Sequence, residues 1–140
     1  MKSLSSILLL MAAALVFTGR GESQVVIVAN AGVKADTITR DELRDVFTGA
    51  SKGLRDGSRA VPVLLAKGAT TDQFLATYMG MKGNDLIVCW RTLLFAGQAA
   101  LPKSFDNDAA VVDHVAHTAG AIGYIGGGSA HVGVKVLAVK

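Results

Sequence analysis

The chain has 140 residues, of which 51% are apolar, 18% charged and 6% aromatic. That length holds one globular domain of roughly 100–150 residues and excludes a two-domain enzyme with its own interdomain cleft. The apolar fraction excludes a disordered chain, which buries too little surface to offset its ordering entropy. A formal charge of +3 falls short of the dense positive field of a nucleic-acid binder.

Lys2 precedes an unbroken apolar run from Ile7 to Phe17. As a helix this run rises about 16 Å, well short of a bilayer core of about 30 Å. A positive start, a short apolar run and then polar Thr18–Ser23 predict a secretory signal peptide over residues 1–23. An uncleaved anchor is the alternative, disfavoured by length. Residues 24–140 then form a single domain, exported to the periplasm or secreted. Its one cysteine, Cys89, allows neither an internal disulfide nor a cysteine-based metal site, so the domain must rely on its core.

Gln24–Ala29 is a short β-branched run, the pattern of a strand buried on both faces in a parallel sheet. Thr39 and Glu42 form a capping box for a helix carrying Leu43, Val46 and Phe47 and closed by Gly49. A polar turn around Asp56-Gly57 leads to a second strand, Ala60–Leu65, with Pro62 near its start or at a sheet edge. Thr70 to Gln73 opens a second helix with Phe74, Leu75 and Tyr78 on its apolar stripe. A third helix, from Leu86 to about Ala96, is apolar nearly all round, which predicts burial, with Trp90, Leu93 and Leu94 in the core. Leu101–Phe105 reads as a loop. Asp106 or Asn107 caps a fourth helix carrying Val111, Val112 and Val115, with Gly120 as its closing glycine. Strands at Ala121–Ile125 and Val132–Val139 flank Gly126–Ser129. Strands separated by helices predict an α/β fold with a mostly parallel sheet and helices on both faces.

Ligands of open α/β sheets bind beyond the carboxyl ends of the strands. With the first three strands parallel, that rule selects Asn30-Ala31-Gly32, Lys67–Thr71 and Gly126–Ser129. The middle segment is the most informative. A glycine leads into a helix whose first N–H groups lack partners, two threonines add donors and Lys67 adds charge, which suits a small oxyanion. Capping of the helix by Thr70 explains the same residues without a ligand. The glycine triplet reads either as an anion-holding nest or as a turn between strands. His114 and His117 stand three apart on a helix but lack a third metal ligand, and no nucleophile–base pair suggests catalysis.

Several segments, taken in order, resemble one family. They are Thr39-x-x-x-Leu43-x-x-Val46-Phe47-x-Gly49, the Arg55–Val63 turn and strand, Trp90-Arg91-x-x-x-Phe95-x-Gly97 with Pro102, and Gly120–Ile125. Together they resemble the substrate-binding proteins of phosphate ABC transporters, in the periplasmic-binding-protein-like superfamily. The resemblance implies a single lobe of a fold that elsewhere has two lobes closing over the ligand. Where the family places a Ser-Gly-Thr-type anion-binding turn, this chain has Gly68-Ala69-Thr70-Thr71, and only the threonines carry over.

The resulting expectation is an exported, non-catalytic solute-binding protein without a cofactor or metal. It would take phosphate or a similar oxyanion through Thr70 and Thr71, with Gly68 and Asn30 as further contacts. Candidate protein partners are a transporter permease, another envelope protein or a second copy of the chain as a homodimer. The alternative is an envelope interaction module that keeps the lobe and has lost its ligand.

Overall fold

Strand β1, Val25–Asn30, runs through the middle of a six-stranded sheet, as its nearly continuous burial requires. A computed structural model describes residues 24–140; the segment read as a signal peptide lies outside the described residues. After β1 come β2 (Thr37–Ile38), α1 (Arg40–Thr48), β3 (Val61–Leu65) and α2 (Ala69–Phe74), which continues unbroken into a π-helical turn at Leu75–Met79. Then follow α3 (Gly83–Phe95), β4 (Lys103–Phe105), α4 (Asp108–His117), β5 (Ala121–Gly126) and β6 (Val134–Val139). The sheet order is β2-β6-β1-β5-β3-β4.

The sheet is mixed and mostly parallel. β2 pairs with β6, and β3 with both β4 and β5, in parallel. β1 runs antiparallel to both of its neighbours, β5 and β6. The expectation that the first three strands share one direction therefore fails for β1. Its apolar run reports burial on both faces, which a central antiparallel strand also satisfies. Two short strands, β2 and β4, were not expected. β4 occupies the predicted Leu101–Phe105 loop and forms an edge of the sheet beside β3. Pro62 therefore sits at the start of an inner strand, ahead of the first β3–β4 pair at Val63.

Alternation along the strands feeds two cores. On one face Ile27, Ala29, Ile122 and Tyr124 meet α1, α2 and α3 through Leu43, Phe47, Phe74 and Trp90. On the other, Val28, Val63 and Ile125 meet Val111, Val112 and Val115 of α4. Gly123 makes that second contact close: a Cβ there would lie 3.0 Å from Val111 Cγ1. Gly120 closes no helix. α4 ends at Thr118, and Gly120 sits at φ 79° where any Cβ would press within 2.8 Å of the Arg59 carbonyl oxygen.

Helix α1 follows its sequence signals. The Thr39 hydroxyl accepts from Glu42 N (3.0 Å), and Glu42 Oε1 accepts from Thr39 N (3.2 Å). Glu42 Oε2 also accepts from Arg55 N (3.0 Å), tying the polar turn to the helix start. Burial pushes the Glu42 carboxyl up, but the N–H groups of Arg55 and Thr39 and the Thr39 hydroxyl hold it below its ordinary value. A depressed carboxyl stabilises the fold above the ordinary carboxylate range and loses that contribution as pH falls through the folded value. Thr39→Ala is expected to cost about 0.5–2 kcal/mol at neutral pH. Urea melts at neutral and strongly acidic pH check this: the difference from the parent chain should shrink once Glu42 is protonated, and a pH-independent difference would contradict it.

Helix α3 departs from expectation. Leu86 and Trp90 are buried and Leu93 is half-buried, but Leu94 faces outward at 41% exposure. The helix covers its side of the fold with one face only.

Candidate functional site

Because β3 and β4 are parallel neighbours, the turns leaving their carboxyl ends lie side by side. Leu65–Thr71, from β3 into α2, and Asp106–Ala109, from β4 into α4, enclose an open cleft of about 550 Å³. Two helix N-termini therefore reach the same cleft. The β4–α4 contribution was not foreseen; recognising Lys103–Phe105 as a strand would have revealed it through the same carboxyl-end rule.

Helix α2 begins at Ala69, with Gly68 as its N-cap and no side chain capping it. Thr70 is thus not the cap but lies inside the first turn. The leading N–H groups lack intrahelical partners and carry positive dipole character toward the cleft. The first intrahelical bond is Asp72 N to Gly68 O, at 3.0 Å. Gly68 and Lys67 are exposed at the cleft margin.

The two threonines point differently. Thr70 Oγ1 lies toward Gly126, at the edge where the third loop meets the cleft. Thr71 Oγ1 turns inward, 3.0 Å from Leu65 O, 2.9 Å from Ala66 O and 3.0 Å from the Tyr124 hydroxyl. Its bonds shape the β3–α2 turn.

The second N-terminus is partly occupied. The Asn107 side chain caps α4 by accepting from Ala110 N at 2.9 Å. Asp108 Oδ2 accepts from Gly126 N (3.1 Å) and from Ser129 Oγ, fastening the glycine loop to α4. In that loop Gly127 N donates to Gln24 O and Ser129 N to Gly126 O. With these donors engaged, Gly126–Ser129 is a tied turn and not an open nest. Asp106 and Asp108 set two carboxylates against Lys67 in the lining.

Asn30 is not brought to this cleft. β1 opposes β5, pairing Val25 with Gly126 and Ala29 with Ile122, so Asn30 emerges at the other end of the sheet. There its Nδ2 donates to Val115 O (2.8 Å) and Ala116 O (3.2 Å), satisfying terminal carbonyls of α4. Its inclusion as a ligand contact is corrected by strand direction. His114 packs on Phe105, and His117 pairs with Asp113 on its own helix. Among the described residues no three His, Cys, Asp or Glu side chains gather to hold a metal.

No protein-family model and no curated protein matches the chain. Solved structures do. An ABC-type phosphate transport receptor from Vibrio cholerae aligns with a TM-score of 0.63 at 18% identity, covering 82% of this chain and 45% of its own. A phosphate ABC transporter substrate-binding protein with bound phosphate, from Clostridium perfringens, gives 0.64 at 18% identity, over 82% and 44%. PstS from Borrelia burgdorferi gives 0.64 at 14% identity, over 83% and 47%. The fold of this chain is that of an α/β lobe resembling these proteins, and it spans less than half the length of each.

Proposed function

We propose that the chain is an exported solute-binding protein that engages phosphate or a similar oxyanion at the start of α2, without a catalytic step. The observation that carries this reading is the uncapped N-terminus of α2 opening on a cleft it shares with the start of α4. Gly68 leaves the backbone approach open, Thr70 offers a hydroxyl at the cleft edge, and Lys67 supplies attraction. Likeness of fold to phosphate transport receptors supports the ligand class. Asp106 and Asp108 favour an oxyanion that still carries a proton, since it can donate to a carboxylate, whereas a fully ionised anion is repelled. Phosphate meets that condition at neutral pH and sulfate does not. Thr71 contributes by holding the turn, not by touching the ion.

Export rests on the apolar run behind Lys2 and the polar residues after it. Among the described residues no helix is long and apolar enough to cross a membrane. The cleft is open, so water and salt compete for the ion, and affinity is expected near millimolar, about −4 kcal/mol. Tight binding would need a second surface over the ion, from a transporter permease, another envelope protein or a second copy.

Titration of phosphate and sulfate followed by backbone amide NMR tests the proposal. Saturable shifts centred on Gly68–Asp72, larger for phosphate and weakened several-fold by Thr70→Val, are the expected result. No saturable shift there up to tens of millimolar would overturn it.

A further inference from the structure

Residues of three elements meet at the inner end of the cleft. Lys67, Gly68, Asp106 and Asn107 line it as exposed residues, whereas Thr70 and Asp108 line it half-buried. Gly126 and Ser129 are also half-buried and stand behind Asp108, outside the lining. A Cβ on Gly126 would lie 3.3 Å from Asp108 Oδ2, 3.7 Å from Thr70 Oγ1 and 3.9 Å from Ser129 Oγ. Three side-chain oxygens therefore converge on one point at the end of β5, and only two of them belong to residues of the cleft wall.

The two aspartates of the lining differ in how they are held. Asp106 is exposed in the turn before α4. Asp108 is the first residue of α4, where the helix dipole favours a carboxylate. Its Oδ2 accepts two hydrogen bonds, from Gly126 N at 3.1 Å and from Ser129 Oγ. Ser129 is itself placed by a turn in which its N–H donates to Gly126 O at 3.1 Å. Two donors on one oxygen fix the orientation of the carboxylate and leave Oδ1 as the acceptor for an ion in the cleft. A carboxylate sorts oxyanions only when that free oxygen is held in place. A protonated oxyanion then donates to it, while a fully ionised one meets a fixed like charge. A carboxylate free to swing aside no longer refuses the ionised form.

We infer that Ser129 is a specificity-determining positioning residue of the anion site, acting through Asp108 and touching no ion itself. The inference rests on the oxyanion reading given above and adds to it the side chain that sets the preference for a protonated anion. Without the Ser129 hydroxyl, Asp108 keeps a single tether, to Gly126 N, and its free oxygen is no longer fixed. Discrimination then falls chiefly because sulfate binds better. Asp106 contributes charge without direction, so it weakens both anions alike.

Parallel titrations with phosphate and sulfate, read at the Gly68–Asp72 amides by NMR, test this in the parent chain and in variants whose folding is checked by thermal melts. Asp108→Asn, which offers an amide donor to an ionised ligand, should lower the phosphate-to-sulfate affinity ratio about tenfold, and Ser129→Ala about threefold. Ser129→Thr keeps the hydroxyl and should restore the parent ratio. In an Asp108→Asn background Ser129→Ala should change the ratio no further, the non-additivity of two residues that act through one group. Asp106→Asn should strengthen both anions and leave the ratio within about twofold of the parent. Four results would each overturn the inference while leaving the anion site standing: equal weakening of both anions by Ser129→Ala, no restoration by Ser129→Thr, a Ser129→Ala effect that persists in Asp108→Asn, or a ratio lowered as far by Asp106→Asn as by Asp108→Asn. No saturable shift with either anion in the parent would overturn the site and the inference with it.

Discussion

Replacing Trp90 with alanine is expected to destabilise the fold by about 3–5 kcal/mol, the range for removing a large buried aromatic. Trp90 is the largest of the side chains by which α3 joins the core, with Leu86 buried and Leu93 packed beside it. Its side chain is 6% exposed, and its indole Nε1 donates to the Phe47 carbonyl oxygen at 2.7 Å. That carbonyl belongs to the last turn of α1, where intrahelical donors have run out. The indole thus does two things at once: it fills the junction of α1 and α3, and it satisfies a terminal carbonyl of α1. Gly49 makes the approach feasible. It ends α1 at φ 83°, in the left-handed region, and a Cβ there would collide with Leu93 and lie 3.2 Å from the Trp90 ring. Trp90→Phe separates the two contributions, because it keeps most of the buried ring and removes the donor, at an expected cost of about 1–3 kcal/mol. Urea melts at constant m-value would show the midpoints ordered parent, Trp90→Phe, Trp90→Ala. A Trp90→Ala midpoint no lower than that of Phe95→Ala, whose side chain is solvated, would remove Trp90 from the core.

What the residues disclose locally they disclose well. The Thr39–Glu42 box, Gly49 at the end of α1, the Asn107 cap and the Val111, Val112, Val115 stripe are all settled within one or two helical turns, and each forms as its spacing implies. Strand direction is another matter. β1 and a parallel strand of the same composition bury the same side chains, so nothing in Gln24–Ala29 says which way the strand runs, and the carboxyl-end rule selects Asn30 although β1 runs opposite to β5. α3 shows a second limit. An apolar surface all round a helix is satisfied by burial inside one chain or by burial against another, and composition does not distinguish them. Among the described residues nothing buries Ile87, Val88, Leu94 or Phe95. The site shows a third. Thr70 and Thr71 are adjacent in sequence, but 100° of helical rotation turns one to the cleft edge and the other to Tyr124. Which threonine faces a ligand depends on where the helix begins, and Gly68, not Thr70, sets that start.

Tyr124→Phe is expected to cost about 1–3 kcal/mol and Tyr124→Ala about 3–5 kcal/mol, and the smaller change isolates what the hydroxyl does for the cleft. Tyr124 is fully buried, its ring stacked on Phe74 at 4.0 Å and tilted against Phe47 at 5.9 Å. The phenylalanine variant keeps that stack. It loses a hydroxyl that accepts from Leu65 N at 3.1 Å, donates toward Leu65 O at 3.2 Å and lies 3.0 Å from Thr71 Oγ1. Those bonds join the last residue of β3 to the first turn of α2, fixing where the uncapped N–H groups point. Without the hydroxyl, Leu65 N–H loses its partner in a half-buried position, so its amide should exchange faster than in the parent while amides in the middle of α4 follow global stability only. Burial raises the Tyr124 phenol above its ordinary value, with the Thr71 and Leu65 hydrogen bonds acting in the opposite direction. A group raised in the folded state gives stability that is intact below the unfolded pKa of about 10 and is lost as pH rises through the folded value. Alkaline unfolding should therefore be less steep in Tyr124→Phe than in the parent. If phosphate shifts are seen at Gly68–Asp72, the same variant should weaken them by loosening the turn that aims the N–H groups, although Tyr124 itself touches no ion. Unchanged exchange at Leu65 together with unchanged alkaline unfolding would show that the hydroxyl does not hold the turn, and that the geometry of the cleft rests on the Phe74–Tyr124 stack alone.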